Sequence, residues 1–350
     1  MSRKAASVGT KKRFLKTKQG KVVVIVLAVI VVILGVVVGG TGYYLSKINH
    51  TNLDNFGLAS GLPSDEVDSN IDSNIPVDNN PDAMQWGTGD IVSDPNIQNI
   101  LLIGSDTRGD EKYGRSDTMM VLSLNKSTKQ IKTVSFLRDL YVKINGLKDN
   151  RINAAYSYGG PKLLIDTLQS NFRFKIDNYV RVDFNSFKKL INMVGGVQIT
   201  LTEKEANEIN NHPGTYFTNG DTQRVKAGLN TLNGAGALAY SRIRHIDSDF
   251  GRTQRQRNVM TSLMKSLKGS SVGTLMGIAN EVLPNVQTDL SNMQIMDFAL
   301  NGNSYMSNVG GQLTIPGDGL YKSERIRGMS VLVPDVEKNK AAVWKFLYNK

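Results

Sequence analysis

The feature that most constrains this chain is an uncharged apolar run of 25 residues near its N-terminus, VVVIVLAVIVVILGVVVGGTGYYLS at 22–46. A run of this length matches the thickness of a bilayer core, whereas the apolar stretch of a cleaved signal peptide is about 7–15 residues long. No A-x-A cleavage sequence follows the run. We therefore predict an uncleaved transmembrane anchor at 22–46, with a cleaved signal peptide as the alternative.

The charges that flank the run predict its orientation. Residues 1–21 contain eight basic side chains and no acidic one, whereas 47–98 contains nine acidic side chains and one lysine. Basic segments next to a membrane span stay in the cytoplasm, so the bulk of the chain is expected outside the cell. A net charge of +11 by itself favours nucleic acid as a partner. The predicted topology argues against that partner, because it separates the domain from the nucleic acid of the cytoplasm.

Composition divides the remainder into a linker and a domain. Residues 47–98 are rich in Asp, Asn, Ser and Pro and lack apolar periodicity, which predicts a flexible acidic linker. Residues 99–350 alternate between strand-like and helix-like segments. The predicted strands are 99–103, 118–124, 130–137, 179–184, 197–201, 312–316 and 329–334, and the predicted helices lie near 160–172, 185–196, 233–243, 252–268, 289–300 and 335–348. This pattern predicts an α/β class domain, with α/β/α layers and a central mixed sheet, preceded by one transmembrane helix.

Two aspartates flank the loop that follows the first predicted strand. In LLIGSDTRGDEKYGRSDTMMV, Asp106 ends one strand and Asp117 opens the next. Ligands of α/β sheets gather beyond the carboxyl ends of strands, and Mg²⁺ takes one or two protein carboxylates beside a phosphate. The pair is therefore a candidate metal site. The alternative is that both are turn residues, since Asp is favoured in loops.

A second polar group, Arg138 with Asp139, follows the strand 130–137 in SFLRDLYV. Its position at a strand end suggests a role in anion binding near the first loop, and the alternative is a local Arg–Asp pair.

Arginines are concentrated in AYSRIRHIDSDFGRTQRQRN, where five lie between Arg242 and Arg257. On a helical wheel, Arg252 and Gln256 share a side with the apolar stripe Val259, Met260, Leu263, Met264 and Leu267, while Arg255 lies off one edge. A charge aimed at the core needs an anion or a paired carboxylate. The stretch therefore indicates either a phosphate-binding site or surface salt bridges with Asp247 and Asp249.

Several kinds of chemistry are not supported. The chain has no Cys and three His, and it lacks the G-x-x-x-x-G-K-[ST] and G-x-S-x-G motifs. Cysteine zinc sites, P-loop ATPases and His-based triads are therefore disfavoured. Aspartates and arginines remain, which suits phosphoryl transfer, where the protein mainly positions groups and neutralises charge.

Six stretches in order resemble the LytR-CpsA-Psr family of Gram-positive cell-envelope proteins: NILLIGSDTR…GRSDTMMVLSLN, VSFLRDLYV, RINAAYSYGGP, VDFNSFKKLINMVGGVQI, LNGAGALAYSRIRHIDSDFGRTQRQRNV and SVLVPD. The resemblance covers residues 99 to about 270 closely. It implies a membrane-anchored phosphotransferase that moves a glycopolymer, such as a teichoic acid or capsule, from a polyprenyl-pyrophosphate lipid onto peptidoglycan through a phosphodiester. The rival functions are a non-catalytic polyprenyl-pyrophosphate binder or sensor and an envelope-linked transcriptional attenuator.

The resemblance also implies roles for individual residues. It implies that Asp106 and Asp117 hold Mg²⁺, with Mn²⁺ as an alternative, and that Asp249 orients the arginines. Arg255, at the margin of the helix face, is expected either to support the site or to bind the surroundings of its helix. The expected pyrophosphate-binding set is Arg115, Arg138, Arg242, Arg244, Arg252 and Gln256, and the expected catalytic set is Asp106, Asp117, Arg138 and Arg252. An apolar tunnel for the lipid is expected between the helices near 160–194 and 259–267.

Overall fold

A mixed sheet with helices on both faces forms the centre of the chain in the computed structural model, which describes residues 41–59, 84–106, 113–217, 220–243, 246, 249–268 and 270–350. The strands are β1 (Asn49–His50), β2 (Ile97–Asp106), β3 (Arg115–Asn125), β4 (Gln130–Phe136), β5 (Tyr141–Val142), β6 (Asn150–Arg151), β7 (Asn178–Asp183), β8 (Val197–Leu201), β9 (Gly228–Leu232), β10 (Gln287–Thr288), β11 (Val309–Ile315), β12 (Tyr321–Ile326) and β13 (Met329–Pro334). The helices are α1 (Thr41–Leu45), α2 (Ile152–Phe172), α3 (Phe184–Met193), α4 (Glu203–Asn211), α5 (Pro213–Tyr216), α6 (Gly234–Arg242), α7 (Asp249–Lys268), α8 (Val272–Val282), α9 (Asn292–Ser307) and α10 (Val336–Tyr348).

The sheet has the strand order β1-β10-β7-β2-β3-β4-β11. Strand β2 lies parallel to β7 and antiparallel to β3, and β11 lies parallel to β4, so the sheet is mixed as predicted. The strands 329–334 and 197–201 are not part of it, because they form separate two-stranded sheets with β12 and β9.

The apolar run of β2 is continuous because both faces of the sheet are covered. Ile100 and Leu102 pack with α3, α6, α7 and α9 on one face, whereas Leu101 and Ile103 pack with α2 and α10 on the other. Alternate side chains of a strand point to opposite faces, which explains the split. The α/β/α layering predicted from the alternation of elements is confirmed.

The division of the core between the two faces of the sheet also shows that the lipid tunnel cannot lie between the helices predicted to line it. Helix α2 belongs to one core, and α3 and α7 belong to the other. A single channel lined by all three would have to cross the sheet. Helix α2 also begins at Ile152 rather than near residue 160, because its first turns continue through a kink at Gly159 and Gly160 into the predicted helix.

Both described ends of the predicted linker contact the domain. Strand β1 pairs with β10 at the sheet edge, and the side chains of Tyr44, Leu45 and Ile48 just before it are buried. Farther along, the backbone of Val92 pairs with Phe174. The linker is therefore not flexible throughout, because backbone pairing holds both of its described ends against the domain. Residues 60–83 lie outside the described part, and the domain boundaries stay predictions.

No helix within the described ranges is long and apolar enough to cross a membrane. Residues 22–40 of the predicted anchor lie outside those ranges, so the anchor stays a prediction. Its last residues are described, and Tyr44 and Leu45 are buried in the core of the domain, which differs from the predicted end of the span at residue 46.

Candidate active site at the carboxyl edge of the sheet

The candidate site lies where β2 ends, at the edge of the sheet predicted from its topology. Strand β7 ends beside β2, since Ser105 pairs with Asp183 in the parallel ladder. On the other side, β3 starts and β4 ends at the same edge. Residues just outside these strand ends are therefore brought together although they lie far apart in the chain.

A β-bulge places Asp117 in this edge. Gly104 pairs with Thr118 and Ser105 with Ser116, so Asp117 is the extra residue of β3. Bulges next to active sites redirect a side chain away from the regular alternation. In addition, the β3–β4 register pairs Met119 with Phe136, and continuing it by two residues sets Asp117 opposite Arg138.

Arg138 is a buried link between two carboxylates. Its Nη1 donates to Asp117 Oδ1 at 2.8 Å, and its Nε donates to Asp139 Oδ1 at 3.2 Å. The buried Arg151 approaches the same Asp139 oxygen through Nη1 at 3.6 Å. On the main chain, Leu332 N donates to Asp139 O at 2.9 Å, which ties this turn to the β12–β13 hairpin. The local Arg–Asp ion pair therefore exists, and the same guanidinium also reaches Asp117 of β3. The role of Arg138 in anion binding stays a prediction.

Three arginines act on Asp117. Burial by itself raises the pKa of this carboxyl, but the positive charges of Arg138, Arg252 and Arg242, together with the hydrogen bond from Arg138, outweigh burial and hold its pKa below the usual value. Arg242 ends α6 and is half-buried, and Arg252 lies in the first turn of α7 with 4% of its surface exposed. Three separate segments thus bring positive charge to one carboxylate.

The lowered pKa of Asp117 predicts how stability depends on pH. A group with a depressed folded-state pKa contributes stability in full above its unfolded pKa and loses it as the pH falls through the folded value. We expect Asp117→Asn to lower the free energy of unfolding by about 3 kcal/mol at pH 7, because it leaves buried guanidinium charge less compensated. The deficit should stay constant down to about pH 4 and shrink below it, since the unfolded carboxyl has a pKa of 3.8.

Urea unfolding in EDTA between pH 7 and pH 3 measures this deficit. Asp166→Asn is the matched control, because Asp166 is half-exposed and its ion pair with Lys162 is 3.6 Å long. Exposed pairs contribute about 0–1 kcal/mol, so the control should follow the wild type. An Asp117→Asn deficit that grows as the pH falls below 4 would contradict the assigned direction of the pKa shift.

Arg255 is not at the margin suggested by the helical wheel. It is 3% exposed, its Nη2 donates to Ile243 O at 2.8 Å, and its Nη1 contacts Glu205 Oε1 at 3.5 Å. Glu205 in turn closes the capping box of α4 with Thr202. The wheel considers one helix alone, whereas α4 and the α6–α7 connection cover that side of α7. Arg255 therefore holds the connection that begins directly after Arg242.

The other predicted site residues within the described ranges lie on α7 and at the paired ends of β2 and β3. Gln256 is half-buried on α7, one turn after Arg252. For Asp106, Arg115 and Asp249 the structure describes the backbone: the first two pair with each other at the end of the β2–β3 ladder, and Asp249 begins α7. Arg244 lies outside the described residues, so its place at the site stays a prediction.

A neighbouring polar group was missed from the sequence. Arg181 of β7 donates from Nε to the buried Ser105 Oγ at 2.7 Å. Burial raises the pKa of the Tyr156 hydroxyl on α2, while Arg181 and a hydrogen bond with Ser105 oppose that shift. The available signal was a lone arginine between the valines of YVRVD, together with a serine directly before Asp106.

The predicted Mg²⁺ ligands lie at the strand ends, and the metal itself stays a prediction. Two carboxylates, from Asp106 and Asp117, belong to paired strands, and Mg²⁺ accepts one or two carboxylates while keeping several waters. Larger sets are not seen: within the described residues, no group of three or more His, Asp or Glu could hold a metal ion.

Comparison with known proteins identifies similar chains. The family model described as LytR_cpsA_psr family matches residues 64–345. The polyisoprenyl-teichoic acid–peptidoglycan teichoic acid transferase TagU of Bacillus cereus is 33% identical over 315 residues, which cover 87% of this chain and 91% of TagU. The biofilm regulatory protein A of Streptococcus mutans is 34% identical over 222 residues, which cover 59% of this chain and 53% of that protein.

Solved structures share the fold. TagV of B. subtilis has a TM-score of 0.55 and 27% identity, over 73% of this chain and 98% of TagV. TagT bound to LIIa-WTA has a TM-score of 0.56 and 25% identity, over 73% of this chain and 91% of TagT.

Proposed function

The chain belongs to the LytR-CpsA-Psr family, and on that premise we propose that it transfers a glycopolymer from a polyprenyl-pyrophosphate lipid to peptidoglycan through a phosphodiester. The observation that carries the proposal is the convergence of Arg138, Arg242 and Arg252 on Asp117 at the carboxyl edge of the sheet. Such a site binds a compact, highly charged anion. The similarity to TagU, a teichoic acid transferase, supports a teichoic acid or a similar polymer as the donor.

Each part of the site has a role in this reaction. The arginines bind the pyrophosphate oxygens, since a guanidinium fork offers two N–H donors to two oxygens. Arg138, Arg242 and Arg252 would then stabilise charge on the phosphate that is attacked and on the leaving phosphate. Asp139 and Arg151 hold Arg138 in place, and Arg255 holds the backbone next to Arg242. The burial of Arg138, Arg252 and Arg255 strengthens their interactions by excluding water.

Asp106 and Asp117 are the residues that would hold Mg²⁺ in this proposal. When bound, the ion would neutralise pyrophosphate charge and orient the group that is transferred. The oxygen-only donor set and the position at the edge of the sheet support this assignment.

We also propose that the chain is anchored in the cell membrane by the part of the apolar run 22–46 that precedes Tyr44, with residues 1–21 in the cytoplasm and the domain outside. The eight basic residues before the apolar run support this orientation. The lipid-linked donor would then lie in the same membrane as the anchor.

Transfer by the purified full-length chain tests the function. We expect it to join a glycopolymer from a polyprenyl-pyrophosphate donor to added peptidoglycan, and the product should resist extraction with detergent and release the polymer on phosphodiester hydrolysis. Omitting the acceptor is the control. Tight binding of the donor without any transfer would contradict the proposal and favour the binder or sensor.

A further inference from the structure

A polar cleft of about 650 Å³ lies beside the candidate site and has no assigned role. It is lined by the start of α3, the start of α6, the segment around Asp221 and the short turn at Asn285. Pockets of this volume are large enough for a small ligand, but they are usually lined by apolar side chains. This lining contains one apolar side chain, that of Ala235. The cleft is therefore unsuited to a lipid tail.

Two structural elements connect the cleft with the candidate site. Asp183, at one end of the cleft, pairs with Ser105 in the ladder, directly before Asp106, and paired strands are about 4.8 Å apart. Helix α6 runs from the cleft at Ala235 to Arg242, a rise of about 10 Å. A ligand that extends from the phosphate site by a few sugar units would enter the cleft.

The charges of the cleft are matched by partners within the protein. Lys188 Nζ lies 2.6 Å from Asp221 Oδ2, and Lys189 Nζ lies 3.3 Å from Glu281 Oε2. Asp183 accepts from the backbone N and the Oγ of Ser186 at 2.9 and 3.0 Å. The charges that line the cleft are thus balanced within the protein, so the cleft favours an uncharged ligand over a second phosphate.

Amide groups supply hydrogen bonds for such a ligand. Asn192 and Asn233 use their amide oxygens to accept from the backbone of Gly234 and Gly236. Among the described residues, no acceptor is seen for their amide N–H groups, and Asn185 is exposed at the start of α3. Amide donors together with hydroxyls such as that of Thr222 match the alternating donors and acceptors of sugar hydroxyls.

We propose that this cleft is a subsite for uncharged sugar units of a glycan that is bound at the phosphate site. The inference rests on the proposed function and extends it by assigning a binding site to the glycan. The sugars come from one of two sources, the peptidoglycan acceptor or the first sugars of the lipid-linked donor.

The test uses full-length protein with Asn185→Trp, which fills the cleft, and Asn145→Trp as the matched control on a distant exposed loop. Three probes are titrated: a soluble β-1,4-linked N-acetylglucosamine tetramer, bare polyprenyl pyrophosphate, and the same lipid bearing its first sugars. Asn185→Trp should weaken binding of one sugar-bearing probe about tenfold or more and leave the bare lipid unchanged. If Asn185→Trp weakens binding of the tetramer, the sugars in the cleft belong to the peptidoglycan acceptor. If it instead removes the extra affinity that the lipid gains from its first sugars, they belong to the donor.

Asn185→Ala tests the same subsite if the tryptophan variant fails to fold. Removing one hydrogen-bonding group should weaken the same probe about fivefold. Equal affinities of wild type, Asn185→Trp and Asn185→Ala for both sugar-bearing probes would overturn the proposal. Because these are binding measurements, they decide the role of the cleft even if the protein transfers no polymer, which would contradict the proposed function instead.

Discussion

Replacing Arg252 by alanine is expected to reduce polymer transfer about 100- to 1,000-fold, the usual cost of losing one donor that stabilises charge in a transition state. Arg252 is almost fully buried in the first turn of α7, and its charge acts directly on Asp117. The fold should persist, because Arg138 still holds Asp117 through the 2.8 Å ion pair. The rate of transfer and the thermal unfolding of the same preparation measure the two effects separately.

The matched control is Gln254→Ala, an exposed position on the same helix whose side chain bonds Asn258. It should transfer polymer at the wild-type rate. Arg252→Lys should recover part of the loss, since lysine keeps the charge but not the two-pronged donor geometry. Wild-type transfer by Arg252→Ala would refute the role of Arg252 as a catalytic residue.

Asp117→Asn is expected to reduce transfer by about a thousandfold or more, because it removes a proposed metal ligand and alters the arginines that converge on it. Magnesium binding, measured by titration calorimetry, should weaken in parallel. Asp106→Asn should give the same loss of magnesium affinity if both carboxylates hold the ion. EDTA should inhibit the wild type, and added Mg²⁺ should restore it.

Asp166→Asn serves as the control on α2 and should leave both transfer and magnesium binding unchanged. If the protein is instead a non-catalytic binder, the double variant Asp106→Ala with Asp117→Ala should keep its biological function. Undiminished transfer by the wild type in EDTA would exclude the metal from the mechanism while leaving the arginine site in place.

Local pattern was sufficient to locate most of the elements that carry the site. The strands β2, β3 and β4 and the helices α6 and α7 lie within a few residues of their predicted bounds. Periodicity and turn residues depend on near neighbours in the chain, so they can be read without a fold. The same reasoning located Asp117, Arg138, Arg242 and Arg252 as separate candidates.

Other features of the site depend on contacts between residues that lie far apart in the chain, and these could not be predicted from local patterns. The helical wheel misplaced Arg255, because it contains no information on α4 or on the carbonyl of Ile243 that covers this side chain. Arg181 and Ser105 meet only because β7 lies parallel to β2. The strand 329–334 was expected among the sheet strands, yet it pairs with β12 and anchors the turn at Asp139.

The amino-acid sequence alone determined the α/β class, the family and the identity of the charged residues available for phosphate chemistry. Which of these residues meet was decided by the tertiary structure: the bulge at Asp117, the β3–β4 register that sets it opposite Arg138, and the approach of α6 and α7. The physical reason is that the interaction of charges depends on distance and burial, and the distance between residues 117 and 252 exists only once the sheet and its helices have packed.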